Sequence, residues 1–151
     1  VPNGQAVGSD KYAYKLDWLG RLLEYLDRGF EPSVPLVLSG DLNVARDALD
    51  VAHPDAWAGS VLCHQDARDA LERIVGWGLT DVFRKHHPEG GLYSWWDYRR
   101  LAFPKNDGLR IDHLLATAAL AERCTGAEID RDERKGQKPS DHAPVVALFD
   151  D

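Results

Sequence analysis

Three places in the chain set acids or amides at the ends of apolar runs, and their residue types suit one kind of chemistry. The first is Gly40-Asp41-Leu42-Asn43, directly behind Pro35-Leu36-Val37-Leu38. The second is Arg110-Ile111-Asp112-His113 inside GLRIDHLLAT. The third is Pro139-Ser140-Asp141-His142-Ala143-Pro144, just before the last apolar run. Strand residues two apart share a face, so Asp41 and Asn43 set a carboxylate beside an amide where a strand opens into a loop. Hydrolysis of a phosphodiester needs a group that activates water, one that neutralises the phosphoryl charge and one that holds the leaving oxygen. Carboxylate and amide oxygens suit Mg²⁺, a hard cation that keeps several waters and takes only one or two protein carboxylates. His142 beside an orienting acid such as Asp112 makes a fixed base or charge partner.

Each place also has an ordinary structural reading. Asp-x-Asn after a strand is a common turn. Asp112 is a candidate for a structural pair with Arg110, Ser140-Asp141 suits a cap or turn before Pro144, and a lone histidine is commonly structural. The three sites taken together carry the functional reading, which is a metal-assisted phosphoesterase. The sequence has neither the Cys or clustered His spacing of a zinc site, nor the G-x-S-x-G of a serine hydrolase, nor a Walker-type phosphate loop.

The surrounding pattern predicts the elements that must position these residues. Ser9 to Gly29 reads as an amphipathic helix, with Tyr12, Leu16, Leu19, Leu22, Leu23 and Leu26 near the 3.6-residue period and Gly29 as its C′ residue. Val34 to Ser39 reads as a short, nearly all-apolar strand covered on both faces. Ala45 to Val61 reads as loop, and Gln65 to Trp77 as a second helix stopped by Gly78. Strands are expected at Leu79–Phe83, Tyr93–Trp96, Leu109–Thr117 and Gly126–Ile129. A helical turn is expected over Ala118–Arg123, a charged loop over Asp130–Lys138 and a closing strand over Val145–Phe149. With no internal repeat or linker, residues 1–151 read as one α/β unit.

At 151 residues, 44% apolar and with five tryptophans, the chain has the size and composition of one packed domain. No apolar run approaches the roughly 20 residues that span a bilayer, and VPNGQAVGSD has neither the basic start nor the apolar stretch of a signal peptide. Cys63 and Cys124 sit in no metal-type spacing and are read as free thiols of a reducing, cytoplasmic compartment. The net charge of −7 argues against a nucleic-acid partner only weakly. The segment Arg84–Arg110 is locally +3, against −10 for the rest, and phosphate contacts depend on the local patch.

Seven segments occur in order at consistent separations: PNG (2–4), KYAYKLDWL (11–19), SGDLNVA (39–45), GLTDVFR (78–84), YSWWDYR (93–99), GLRIDHLLA (108–116) and PSDHAPV (139–145). Together they resemble the C-terminal part of the bacterial exonuclease III/AP endonuclease family. That family lies in the endonuclease/exonuclease/phosphatase superfamily, with DNase I and the inositol polyphosphate phosphatases. GDLN and SDH are shared across the superfamily, whereas SWWDYR and GLRIDHLL point to the DNA-repair branch.

The resemblance implies a DNase I-like two-sheet α/β sandwich of which this chain supplies roughly the C-terminal half. It implies hydrolysis of the phosphodiester 5′ to an abasic site and 3′→5′ exonuclease action on double-stranded DNA with abasic sites or 3′ ends. It also implies a Mg²⁺ (or Mn²⁺) cofactor and a bacterial, nucleoid-associated monomer that meets no membrane. Asp41 would orient or deprotonate the water and Asn43 would contact the scissile phosphate. Asp141, with Asp41, would serve at the metal, and His142, backed by Asp112, would hold the phosphate oxygen. Asn3 matches a phosphate contact. Trp95, Leu109 and Ile111 match the apolar pocket for an extruded abasic sugar. Arg99, with Arg100 and Lys105, fits DNA-backbone contacts. The family's metal-binding glutamate and several core strands belong upstream of Val1. An exposed apolar sheet face and unpaired edges are therefore expected, as is an isolated fragment without activity. Two other readings stand beside this one: a phosphoinositide or sphingolipid phosphoesterase of the same superfamily, and a non-catalytic DNA-binding fragment.

Overall fold

The computed structural model describes residues 1–151. Ser9 opens the first helix, α1 (Asp10–Gly29), by accepting from the Tyr12 N–H. Tyr12, Lys15, Leu19 and Leu26 form its buried stripe, and each fully buried leucine there contributes about 1.5–3 kcal/mol relative to exposure. The helix ends without a left-handed cap: Phe30 is extended and donates its N–H to Leu26 O. Strand β1 (Val37–Asp41) follows, then the short helix α2 (Pro54–Trp57) and α3 (Gln65–Gly76), whose Ala67, Ala70, Leu71 and Ile74 face α1.

Next come β2 (Leu79–Asp81), α4 (Val82–His86), the single turn α5 (Ala102–Lys105), β3 (Asp112–Thr117), α6 (Ala118–Ala121), β4 (Cys124–Ile129) and β5 (Val145–Phe149). The strands form two antiparallel groups, a three-stranded sheet in the order β1-β3-β2 and the β4-β5 pair, rather than one sheet. The main core lies between the three-stranded sheet and α1 with α3.

Several expected boundaries move. The first strand begins at Val37 and runs on through Ser39 to Asp41. It is not covered on both faces: Val37 is 39% and Val34 52% exposed, so the apolar run marks a sheet face that this chain leaves open. Leu148 is 62% exposed on β5 in the same way. The strand expected over Leu79–Phe83 stops at Asp81, whose carboxylate accepts from the Arg84 N–H and so starts α4. Tyr93–Trp96 forms no regular strand. Trp95 alone makes β-bridges, to Leu109 and to His142. The 45–61 segment holds a 3₁₀ turn at Ala48–Asp50 as well as α2.

Arg110 is not paired with Asp112. Regular strand geometry begins only at Asp112, so two-residue periodicity does not extend back to Arg110. Its buried guanidinium instead bonds Asp50 (2.7 and 3.0 Å) and Asp81 (3.2 and 2.8 Å). Arg84 adds to Asp50 and Arg46 adds to Asp81. Burial alone would push both carboxyls up, but Arg110, with His113 and Arg84, holds Asp50 below the ordinary range, and the His113 side chain together with Arg110 holds Asp81 well below it.

Candidate active site

The register of β1 on β3 sets Asp41 directly opposite Asp112 and Gly40 opposite His113. Gly40 has φ +138°, a conformation open to glycine and strained for other residues. After β1, Asp41 Oδ1 accepts from the Asn43 N–H at 2.8 Å, an Asx turn, and Asn43 takes the left-handed conformation that asparagine tolerates (φ +52°). The turn reading of Asp-x-Asn is therefore correct, and the turn is what brings the amide back. Asn43 Nδ2 donates to Asp41 Oδ2 (3.0 Å) and to Val1 O (2.8 Å), and its Oδ1 accepts from Asn3 Nδ2 (3.3 Å).

On the other side, the Trp95–His142 bridge delivers the 139–145 segment to β3. His142 Nδ1 lies 2.8 Å from Asp112 Oδ2, which also accepts from Ser94 Oγ at 2.7 Å. With Nδ1–H donated to the carboxylate, Nε2 faces Asp41 Oδ2 at 3.9 Å. One line thus runs Ser94–Asp112–His142–Asp41, with Asn43 and Asn3 at its end. The bond from Asp112 raises His142 above its ordinary value, with Asp41 and Asp141 adding to the effect against partial burial. Burial raises Asp41, and Asp112 across the strands adds to it, while the Asn43 N–H and His142 oppose. A cavity of about 710 Å³ meets this line at Asp112 and His142, with Ser39, Gly40 and Ser140 in its wall, while Asp41, Asn43 and Asn3 lie outside its lining.

Asp141 Oδ2 accepts from Trp95 Nε1 at 3.0 Å, so Trp95 tethers the residue beside His142. Trp95 is half-buried and meets Trp57 edge to face at 5.9 Å, and Trp96 is fully buried in a separate small core. Leu109 and Ile111 are 0% and 2% exposed and belong to the main core rather than to an open wall. Leu109 holds Trp95 from behind through paired backbone bonds of 2.9 and 3.0 Å. The guanidinium of Arg99 is engaged by Asp97 at 2.9 and 2.7 Å, at the rim of a cleft lined by His53, Trp57 and Arg100. No three His, Cys, Asp or Glu side chains converge into a cage for a metal ion.

Three residues beyond the sequence-predicted set belong to the site's surroundings. Ser94 is fully buried, and its hydroxyl joins Asp112 to the backbone N–H groups of Ile111 and Asp112 (3.1 Å each). Its mark in the sequence is its place in YSWWDYR, while its role depends on partners 17 and 18 residues away. Lys15 is buried within the apolar stripe of α1, and its place on that stripe was the available signal. Trp57 lay in a segment read as loop. Cys63 and Cys124 are both buried and unpaired.

The Endonuclease/Exonuclease/phosphatase family model matches residues 3–142. The chain is 36% identical over 156 residues to exodeoxyribonuclease III of Haemophilus influenzae, which covers 98% of this chain and 58% of that relative. An AP endonuclease structure from Archaeoglobus fulgidus superposes with a TM-score of 0.97 at 44% identity, covering 99% of this chain and 59% of the other. A Neisseria 3′ phosphatase bound to a product DNA hairpin superposes with a TM-score of 0.93 at 38% identity, covering 99% and 58%. The chain thus spans a little under three fifths of the length of these relatives, and its α/β arrangement is theirs.

Proposed function

This chain belongs to the Endonuclease/Exonuclease/phosphatase family, and from that premise we propose that residues 1–151 are the C-terminal part of one exonuclease III-type catalytic domain. The parent activity is that of a DNA-repair phosphodiesterase with AP endonuclease and 3′→5′ exodeoxyribonuclease action, monomeric and cytoplasmic. The observation that carries this reading is the Ser94–Asp112–His142–Asp41 line ending on Asn43 and Asn3.

Each residue then has a task. Asp41, raised by burial, orients an attacking water and accepts its proton. His142, oriented through Nδ1 by Asp112 and raised by that bond above its ordinary value, presents Nε2 to a phosphoryl oxygen, where negative charge grows as the bond breaks. Both Nδ2 hydrogens of Asn43 are already used, so its contact with phosphate requires exchange of one bond. Asn3 keeps one amide hydrogen to offer. Asp41 and Asp141 are the residues that would hold Mg²⁺ (or Mn²⁺). Two carboxylates fit a hard cation that retains its waters, although they do not close a site by themselves. When bound, such an ion neutralises phosphoryl charge as a Lewis acid. Trp95, backed by Leu109 and Ile111, would wall the space for an abasic sugar, and exposed Arg100 and Lys105 would meet the DNA backbone more readily than Arg99.

The test is incision of an abasic duplex with Mg²⁺ or EDTA, run on the 151-residue chain and on the chain extended upstream. Mg²⁺-dependent incision by the extended protein supports the reading. Hydrolysis of phosphoinositide or sphingolipid head groups without incision moves it to another branch of the superfamily. Duplex binding without hydrolysis of any of these leaves a DNA-binding fragment.

A further inference from the structure

Lys15 is the one residue on the inner stripe of α1 that carries a charge, and it is 0% exposed. Its Nζ donates to Val61 O (2.5 Å), Asn43 O (2.6 Å) and Asn3 O (3.3 Å). Three ammonium hydrogens thus meet three carbonyls, 12, 28 and 46 residues away in sequence. Taking an ammonium out of water is costly, and leucine or methionine would fill the stripe without that cost.

What the ammonium holds is specific. Asn43 is in the left-handed conformation and Asn3 lies one residue before Gly4 (φ +95°), whose missing Cβ leaves room for the Lys15 stem: a Cβ there would stand 3.1 Å from Lys15 Cδ. Both asparagines are fixed by their carbonyls from the core side, while their side chains bond each other at 3.3 Å on the site side. We infer that Lys15 is a positioning residue that clamps the backbones of Asn3 and Asn43 so that their amides stand together beside Asp41. The geometric role stands by itself, and its kinetic consequence rests on the phosphodiesterase reading.

Lys85, an exposed lysine, supplies a control for carbonyl bonding outside the site: its Nζ bonds two carbonyls, Ala121 O (2.6 Å) and Cys124 O (3.0 Å), between α4, α6 and β4. The experiment compares Lys15→Met with Lys85→Met. In the 151-residue chain, side-chain amide NMR of Asn3 and Asn43 should lose its hydrogen-bonded shifts and exchange protection in Lys15→Met and keep them in Lys85→Met. In the upstream-extended protein with Mg²⁺ and abasic duplex, Lys15→Met should lose about 10- to 100-fold in kcat with KM within about threefold, because misplaced groups act on the chemical step. Lys85→Met should retain kcat within about threefold. If Lys15→Met does not fold, Lys15→Gln, which keeps two donors, replaces it in both arms. Unchanged asparagine amides in the Lys15 variant, or equal kcat losses in the two lysine variants, overturn the assignment. A wild-type protein that does not incise refutes the phosphodiesterase reading, and the NMR arm still decides the clamp.

Discussion

Removing the Ser94 hydroxyl tests the Ser94–Asp112–His142 hydrogen bonds at their least obvious member. Ser94→Ala deletes the 2.7 Å bond donated to the Asp112 carboxylate, an interaction with a charged group worth about 1.5–3 kcal/mol. It also strips the shared acceptor from two backbone N–H groups, those of Ile111 and Asp112. A buried donor left unpaired costs about 1–3 kcal/mol, and relaxation or water entry offsets part of that sum. The expected loss is therefore about 3–5 kcal/mol. Followed by tryptophan fluorescence in urea, with an m-value of about 2 kcal/mol/M, it moves the midpoint down by roughly 2 M. In the upstream-extended protein a freed Asp112 holds His142 less firmly, and incision falls by about 10- to 100-fold even where the protein remains folded. A midpoint shift below about 0.5 M with unchanged incision would show that Ser94 neither supports the strand entry nor orients Asp112.

Asp41→Ala and His142→Ala in the extended protein should each lower incision by about 10²–10⁴-fold with little change in urea midpoint; near wild-type incision by either one removes it from the site. Trp95→Ala should damage the preference for abasic over intact duplex more than the response to Mg²⁺ titration, and an unchanged preference returns Trp95 to a purely structural tether of Asp141. Asp50 and Asp81 are held below the ordinary carboxylate range, so their contribution is fully present at neutral pH. It should decline as pH falls below about 4 and through their lower folded values. Asp81→Asn should therefore flatten the loss of stability measured by urea titrations between about pH 5 and 2, and an unchanged slope speaks against the buried network.

How legible these features were depends on the range of the interaction that creates them. The helix over Asp10–Gly29 and the closing strand Val145–Phe149 were readable because hydrophobic periodicity acts within a few residues, whereas Gly29, expected as the C′ residue, is the last helical residue and Phe30 is extended. The end of β2 was not, because Asp81 gives its carboxylate both to the Arg84 N–H and to Arg110, 29 residues away. The apolar run at Val34–Ser39 invited a strand covered on both faces, yet sequence pattern reports what a face would bury and not whether this chain covers it. Leu109 and Ile111 read as pocket residues from resemblance alone, and packing put them in the core with Trp95 in front.

By itself the sequence determined the candidate chemistry: the acids, the amides and the histidine are oxygen and nitrogen donors of one functional class, and side-chain composition does not depend on the fold. It also determined the local turn at Asp41–Asn43, which closes over two residues. The tertiary structure alone decided which acid serves which base. Arg110 went to Asp50 and Asp81, leaving Asp112 free to take Ser94 and His142, and the β1–β3 register set Asp41 opposite Asp112. The reason is that hydrogen bonds reach about 3 Å, so partners 18 to 71 positions apart in the chain are chosen by strand register and core packing, on which local sequence is silent.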